Sequence, residues 1–323
     1  MFKVSQSKVK SWRLCHQQYD YRYVQNIVPK VTPRPFMFGT IAHRMLEASA
    51  NGQDPWEIFR QETQITQRQR MFKEEEEMYG DIAADIAYIM EEYFEFQPAL
   101  NYVEIEGKFA EHSFEVRLGD TDIVCKGKID GIAKGGRKLK WLVEHKTHKL
   151  FPPPEQRWRD LQSVLYIYVA EHLWGMKLDG TCWNYIRSKS PTRPQITQKG
   201  LLSERAIDTL PAVIEDVIRK NKLRGLYTTM IDQARAKRNE WFERIYTPID
   251  PHITQHVVDD FTETAVEMSQ MHGKSKVRNI GRHCDWCEYR TLCAAALQGM
   301  DEDFLKEREF KLAEQETDDA TAE

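Results

Sequence analysis

The chain has 323 residues, of which 41% are hydrophobic and 30% charged, proportions typical of a globular protein that can bury a sizeable core. Its longest apolar runs are too short to span a bilayer and its first residues lack the apolar segment of a secretory signal, so we expect a cytoplasmic protein without membrane contact. The net charge of −4 does not by itself indicate a nucleic-acid partner.

The negative charge is concentrated at the C-terminal end. Residues 301–323 hold ten Asp or Glu and three Lys or Arg, so the remainder of the chain is slightly basic. A slightly basic body is compatible with a DNA partner, although it does not require one. Because the last residues are acidic and poor in apolar side chains, we predict a disordered tail over residues 301–323.

The first hundred residues predict helices. Residues 5–25 repeat apolar side chains at helical spacing, with Ser5 or Ser7 as the N-cap. After a proline-containing loop, residues 38–52 predict a second amphipathic helix. Residues 54–98 are highly charged and also helical in pattern, and we interpret them as a cover over a sheet.

Beyond residue 101 the pattern changes to the alternation of half-buried strands. The predicted strands are 102–112, 113–119, 122–134, 138–147 and 180–189. A helix is predicted over 155–174, after three consecutive prolines. Residues 202–245, which are rich in Lys and Arg, and residues 252–272 predict the last helices.

This order of elements predicts a single α/β domain over residues 1–300, with a mixed central β-sheet flanked by helices. The core of that domain would comprise about 36–48 and 101–190. Helical insertions at about 52–100 and 200–275 would enlarge it. The first and last segments of the domain would meet at a metal site.

A hairpin over residues 127–149 carries the side chains best suited to catalysis. Glu144 and Lys146 are two apart on its second strand and therefore share a face, while Asp130 lies on the first strand. Asp130, Glu144 and the main-chain carbonyl of His145 would supply the oxygen ligands that Mg²⁺ prefers. Lys146 could orient a water molecule or stabilise charge on a phosphate, which suits phosphodiester hydrolysis. Taken alone, the pattern is more typical of a solvated strand face.

Two neighbouring helices favour the catalytic interpretation. Gly39 and His43 stand four apart, so a helix could approach the sheet closely and direct His43 at the metal. A lone helical histidine is more often a core or surface residue, however. Gln162 and Tyr166 are also four apart and share a helix face, where they could hold a DNA strand near the metal.

The chain has six cysteines, and the spacing of three of them indicates a metal site. These three are Cys284, Cys287 and Cys293. In a chain without a signal peptide such clustering favours metal binding over disulfides. Cys15 is the candidate fourth ligand, with His16 and His283 as alternatives, and zinc and an iron–sulfur cluster both fit the spacing. Cys125 and Cys182 lie in β-like runs and should be buried.

Together these motifs resemble the RecB-like branch of the PD-(D/E)XK nuclease superfamily, and within it CRISPR-associated and phage exonucleases that contain an iron–sulfur cluster. The resemblance extends in order over most of the chain. The motifs that carry it are Ser5-x-Ser7, Cys15 with Tyr19 and Tyr21, Gly39-x-x-x-His43, Gly127-x-x-Asp130, Glu144-x-Lys146, Gln162-x-x-x-Tyr166 and Cys284-x-x-Cys287-x5-Cys293.

The resemblance implies a restriction-endonuclease-like core and a Mg²⁺- or Mn²⁺-dependent DNA exonuclease that acts on single strands or strand ends. Endonuclease side activity is compatible with it. The implied metal ligands are His43, Asp130 and Glu144, and the implied catalytic lysine is Lys146. The reaction would serve recombination, repair or spacer processing, with a recombination or CRISPR-associated protein as a possible partner.

The resemblance also assigns the remaining motifs. Gln162 and Tyr166 would support the active site and contact the DNA strand. A [4Fe–4S] cluster would join the N-terminal helix to the segment 281–294. Its ligands would be Cys15, Cys284, Cys287 and Cys293. Two alternatives stay open: a DNA-binding subunit of a helicase–nuclease-type complex that does not cleave, and a zinc-containing protein without a nucleic-acid role.

Overall fold

The computed structural model describes residues 1–69, 81–203 and 205–313. Its strands are β1 (Phe2–Val4), β2 (Ile27–Pro29), β3 (Asn101–Tyr102), β4 (Ala110–Arg117), β5 (Ile123–Lys134), β6 (Lys140–His148), β7 (Gly180–Arg187), β8 (Phe242–Pro248) and β9 (Phe310–Leu312). Its helices are α1 (Gln6–Leu14), α2 (His16–Tyr19), α3 (Arg34–Ala50), α4 (Pro55–Gln69), α5 (Ile82–Phe96), α6 (Leu161–Trp174), α7 (Pro211–Lys220), α8 (Thr228–Ala236), α9 (Pro251–Met271), α10 (Arg290–Leu297) and α11 (Glu302–Glu309).

The central sheet is mixed, as the order of the predicted elements indicates. Its main path runs β1-β5-β6-β7-β8, and β3 and β4 also pair with β5. The β5–β6 and β7–β8 pairs are antiparallel, whereas β6 and β7 run parallel. Strand β1 lies parallel to the start of β5. The N-terminus is therefore part of the same sheet as the predicted catalytic hairpin.

Helices cover the sheet from two sides and form two apolar cores. One core contains Val9 of α1, Leu165 of α6 and Phe261 of α9. The other contains residues of α3, α5 and α7, together with Ile186 and Phe242 of the sheet. Within the described ranges, no helix has the length and apolar character needed to cross a membrane.

Strands β5 and β6 diverge near the middle of the sheet. They pair from Lys134↔Lys140 to Gly131↔Val143, and the pairing ends there. Beyond that point β6 continues along β7 to His148↔Arg187, while β5 continues along β4. The strands thus form a fork whose opening is flanked by Asp130 and Glu144.

Several predicted elements need correction. The helix predicted over 5–25 is interrupted at Cys15, whose backbone is extended (φ −166°, ψ 117°), although Ser5 does cap α1. A π-helical turn, Asp20–Val24, follows α2. The prediction of helix to residue 245 is wrong for residues 242–245, because their main chain pairs antiparallel with β7 as the start of β8. Of the helix predicted over 54–98, residues 70–80 lie outside the described ranges.

The predicted disordered tail is also wrong for residues 301–312. Helix α11 is capped by the Asp301 carboxylate, and β9 pairs antiparallel with β2. The ring of Phe310 stacks on Tyr289 with centroids 5.5 Å apart. This packing offsets the low local hydrophobicity on which the prediction rested. The prediction for residues 314–323 lies beyond the part of the chain that the structure describes.

Gly180, the first residue of β7, provides a test of this sheet. Its φ is +153°, and a Cβ atom there would lie 2.1 Å from the carbonyl oxygen of Thr247 on β8. We expect Gly180→Ala to lower the free energy of unfolding by about 3 kcal/mol, since either the backbone or β8 must move. Gly136→Ala, where no atom lies within 4 Å of the added Cβ, should change it by less than about 0.5 kcal/mol. Urea unfolding of both variants would measure the difference, and equal midpoints would contradict the described β7–β8 contact.

Candidate active site

Three acidic residues form a row across strands β4, β5 and β6. In the β4–β5 register, Ala110↔Gly131 and His112↔Ile129 place Glu111 opposite Asp130. The β5–β6 register, continued by one residue from Gly131↔Val143, places Glu144 beside Asp130. All three side chains are buried. Because buried carboxylates repel one another and lose hydration, such a row favours a bound cation.

His43 completes a group of potential metal ligands. Single ligand atoms of His43, Glu111 and Asp130 all lie within 4.8 Å of one another, and His43 Nδ1 is 3.8 Å from Asp130 Oδ1. Gly39 allows α3 to approach, since a Cβ there would lie 3.1 Å from Thr147 Oγ1. The donor set of two carboxylates and one imidazole fits a divalent cation such as Mn²⁺ or Mg²⁺.

Glu111 is a candidate ligand that the sequence analysis missed. Its backbone has φ +59°, a conformation that costs energy for a non-glycine residue and is enriched at functional sites. Its carboxylate lies 2.7 Å from the Lys128 ammonium. Burial raises the pKa of Glu111, and the neighbouring Lys128 opposes this shift. The available signal was the hairpin register, which sets Glu111 opposite Asp130.

The main chain of His145 holds Asp130 in place. At the fork, the His145 N–H donates to the side-chain oxygen Oδ2 of Asp130 on β5 at 2.7 Å, rather than to a main-chain carbonyl of that strand. The His145 ring is buried, and its burial together with nearby His43 lowers the pKa of His145 well below its usual value. The neutral ring contacts the Asn184 amide at 2.8 Å and the Tyr102 hydroxyl at 3.1 Å.

The orientation of Asn184 fixes the tautomer of His145. Asn184 Oδ1 accepts from Arg244 Nε, which can only donate, at 3.3 Å and from the Tyr93 hydroxyl at 3.1 Å, so its amide nitrogen faces His145 Nδ1. His145 therefore carries its proton on Nε2 and donates it to Tyr102. This network fixes the segment of β6 between Glu144 and Lys146.

Lys146 lies between two predicted site residues. Its ammonium donates to Gln162 Oε1 at 2.9 Å and lies 3.3 Å from Glu144 Oε2. Glu144 is fully buried and is not a member of the His43–Glu111–Asp130 group. The structure thus brings Glu144, Lys146 and Gln162 together beside the candidate metal site.

Tyr166 lies further inside the protein. It is 5% exposed, and its ring packs edge-to-face on Phe114 with centroids 5.3 Å apart. Its hydroxyl would lie 2.9 Å from a Cβ at Gly127. Gly127 therefore leaves the space that Tyr166 occupies, and Tyr166 forms part of the packing under the site.

The four predicted cluster ligands lie where the two ends of the chain meet. Asn279 Nδ2 donates to the carbonyl of Leu14 at 3.0 Å, and the Gln17 N–H donates to that of Val277 at 3.2 Å. These four cysteines form no disulfide and are half-buried: Cys15, Cys284, Cys287 and Cys293. Within the described residues, no three of their sulfur atoms approach within 4.8 Å of one another.

Two of the other thiols lie close enough to Cys287 to affect its pKa. Burial raises the pKa of Cys287, and the proximity of Cys15 and Cys284 raises it further. His16 is engaged elsewhere, since its ring stacks on Trp12 and its Nδ1 lies 2.7 Å from Ser275 Oγ. Cys125 and Cys182 are fully buried, as predicted, and burial raises the pKa of Cys125 to about 12.

Comparisons with known proteins agree with this geometry at the level of a family. A family model for the PD-(D/E)XK nuclease superfamily matches residues 3–294. A search of the curated proteins found no significant match. One solved structure, described as "Crystal structure of SSO0001", is 12% identical, with 79% of this chain and 84% of that chain covered and a TM-score of 0.30. That similarity is too low to support an argument.

The role of Glu111 can be tested by metal binding. We expect Glu111→Gln to weaken Mn²⁺ binding at least about tenfold, because it removes one charge from the ligand group. Glu115→Gln, on the same strand but 47% exposed and paired with Lys3, should leave the affinity unchanged. Calorimetric titration of the metal-free protein with Mn²⁺ gives the two dissociation constants. Equal affinities for both variants would exclude Glu111 as a ligand.

Proposed function

Since the chain belongs to the PD-(D/E)XK nuclease superfamily, we propose that it is a Mg²⁺- or Mn²⁺-dependent DNA exonuclease that hydrolyses phosphodiester bonds in single strands or at strand ends. The observation that carries this proposal is the group of His43, Glu111 and Asp130 next to the Lys146–Gln162 pair. It combines a place for a divalent cation with a positioned ammonium group.

The cation would neutralise charge on the scissile phosphate and lower the pKa of water. His43, Glu111 and Asp130 would hold it, with Glu144 and the main-chain carbonyl of His145 as further ligands. The His145 N–H fixes the orientation of Asp130 before a cation arrives. Held ligands need little rearrangement, which favours binding.

Lys146 would act on the phosphate directly. Its ammonium is oriented by Gln162 and Glu144, so it can donate a hydrogen bond to a phosphate oxygen as charge builds up there. Gln162 would keep the lysine in position and contact the DNA strand. Tyr166, which lies on the same helix (α6) as Gln162, would anchor that helix to the sheet through its contacts with Phe114 and Gly127.

We further propose a [4Fe–4S] cluster bound by Cys15, Cys284, Cys287 and Cys293. The contacts of Asn279 with Leu14 and of Gln17 with Val277 bring the segment of Cys15 next to the segment of the other three cysteines, as a cluster with ligands from both would require. The cluster would join the two ends of the chain.

The order of the motifs, which resembles that of the RecB-like branch, suggests the process that the nuclease serves. We propose recombination, repair or spacer processing.

Hydrolysis of labelled DNA tests the proposed activity. With Mg²⁺ or Mn²⁺, we expect the wild-type chain to degrade single-stranded DNA, and Lys146→Ala and Asp130→Ala to lose at least about 10³-fold in rate, because they remove charge stabilisation and metal binding. Lys199→Ala, an exposed lysine in a separate loop, is the matched control. Substrates labelled at the 5′ or 3′ end would give the polarity of digestion.

Two outcomes separate the alternatives. DNA that binds but stays intact with every metal would identify a non-cleaving DNA-binding subunit. Degradation that persists in both variants at the wild-type rate would show that the site lies elsewhere.

The cluster has its own test. We expect anaerobically purified protein to be brown, with an absorbance band at about 400 nm and with bound iron. The Cys287→Ser variant should lose both the band and the iron. Cys125→Ala removes a buried sulfur of the sheet and should retain them. Colourless protein that contains zinc would overturn the cluster assignment without affecting the proposed nuclease activity.

A further inference from the structure

Residues 149–160 connect the two elements that hold Lys146 and Gln162. They leave β6 after His148 and enter α6 at Leu161. Both ends are fixed: the Ser188 N–H donates to the carbonyl of His148 at 2.9 Å, and the Asp160 carboxylate caps α6 through the Ser163 N–H at 3.0 Å. A ligand bound on this connection would therefore lie next to the candidate active site.

This connection exposes an indole ring. Trp158 is 47% exposed, and Leu150 on the same connection is 73% exposed. The guanidinium carbon of Arg159 lies over the Trp158 ring, 5.9 Å from its centroid, so a cation lies on one face of the ring. Three prolines, 152–154, restrict the backbone that carries it. Exposed aromatic rings beside cations are the elements on which unpaired bases stack.

Arg159 is also part of a positively charged surface. An open cavity of about 480 Å³ lies between α1 and the start of α6, and its charged lining is Lys10, Arg13, Arg159 and Asp160. Asp160 is partly neutralised by Lys10, whose ammonium is 3.7 Å away. The excess of positive charge favours phosphate groups.

The positive surface ends at α9. A neighbouring cavity on the other side of Arg13 is lined by Asp260, Glu263 and Glu267. These carboxylates would repel phosphates, so the favourable path for a polyanion runs from Lys10 past Arg159 towards Trp158.

We propose that residues 149–160 and Lys10 form a binding site for single-stranded DNA, in which a base stacks on the face of Trp158 opposite Arg159 and the adjacent phosphates contact Arg159 and Lys10. The inference rests on the proposed function and deepens it by naming the residues that would select a single strand. In a duplex both faces of each base are covered by neighbouring bases, so an exposed indole selects an unpaired strand.

The test uses the full chain carrying Lys146→Ala, with Mg²⁺ present, so that bound DNA is not cut. Fluorescence anisotropy gives the dissociation constant for a labelled oligo-dT of about twelve nucleotides and for a duplex of equal length. We expect Trp158→Ala to weaken single-strand binding about tenfold and duplex binding less than about twofold. Trp158→Phe should restore most of the single-strand affinity.

Further variants distinguish the contribution of base stacking to DNA affinity from the contribution of charge and from effects on folding. Phe304→Ala, at a ring that is 57% exposed and also has an arginine, Arg308, over it, should change neither affinity. Arg159→Gln and Lys10→Gln should each reduce the salt dependence of single-strand binding by about one unit of slope. Thermal unfolding midpoints should agree among these surface variants.

The inference is overturned if Trp158→Ala binds the single strand as tightly as its parent, or loses single-strand and duplex affinity equally. The proposed function fails separately. A wild-type chain that binds single strands through Trp158 but hydrolyses no DNA would refute the nuclease proposal and leave this binding site in place.

Discussion

The parting of β5 and β6 is the constraint on which the candidate site depends. While the strands pair, their main-chain groups satisfy one another; beyond Gly131↔Val143 they do not. The His145 N–H is then available to Asp130 Oδ2, at 2.7 Å. A single departure from regular pairing thus orients a carboxylate and opens the space beside it. Helix α3 can enter there because Gly39 lacks a side chain.

The three buried carboxylates of the site each require a neighbouring group that compensates their charge. An isolated buried carboxylate would be protonated or destabilising, yet three of them adjoin in one row. Lys128 lies against Glu111, His43 against Asp130 and Lys146 against Glu144. Each acidic group thus has a cationic or ionisable neighbour, which lowers the cost of burying the row.

Much of this site could be predicted from the sequence, because local spacing determines it. Glu144 and Lys146 share strand β6, and Gln162 lies at the start of α6, the α-helix that follows this strand. Their proximity therefore follows from short-range geometry. Glu111 could not be found in this way, because its position depends on the register of β4 against β5 and on an unusual φ. Strand β8 and Phe310 were missed for a related reason: each is stabilised by partners distant in sequence, Phe310 by Tyr289.

The pairing of both chain ends has a consequence for how the protein is made. Strand β1 needs residues 123–125 as partners, and β2 needs Phe310–Leu312. Contacts of such long sequence separation form slowly. During synthesis Cys15 leaves the ribosome well before Cys284, Cys287 and Cys293 exist. Cys15 and β2 therefore remain without these partners until residues 284–312 have been synthesised.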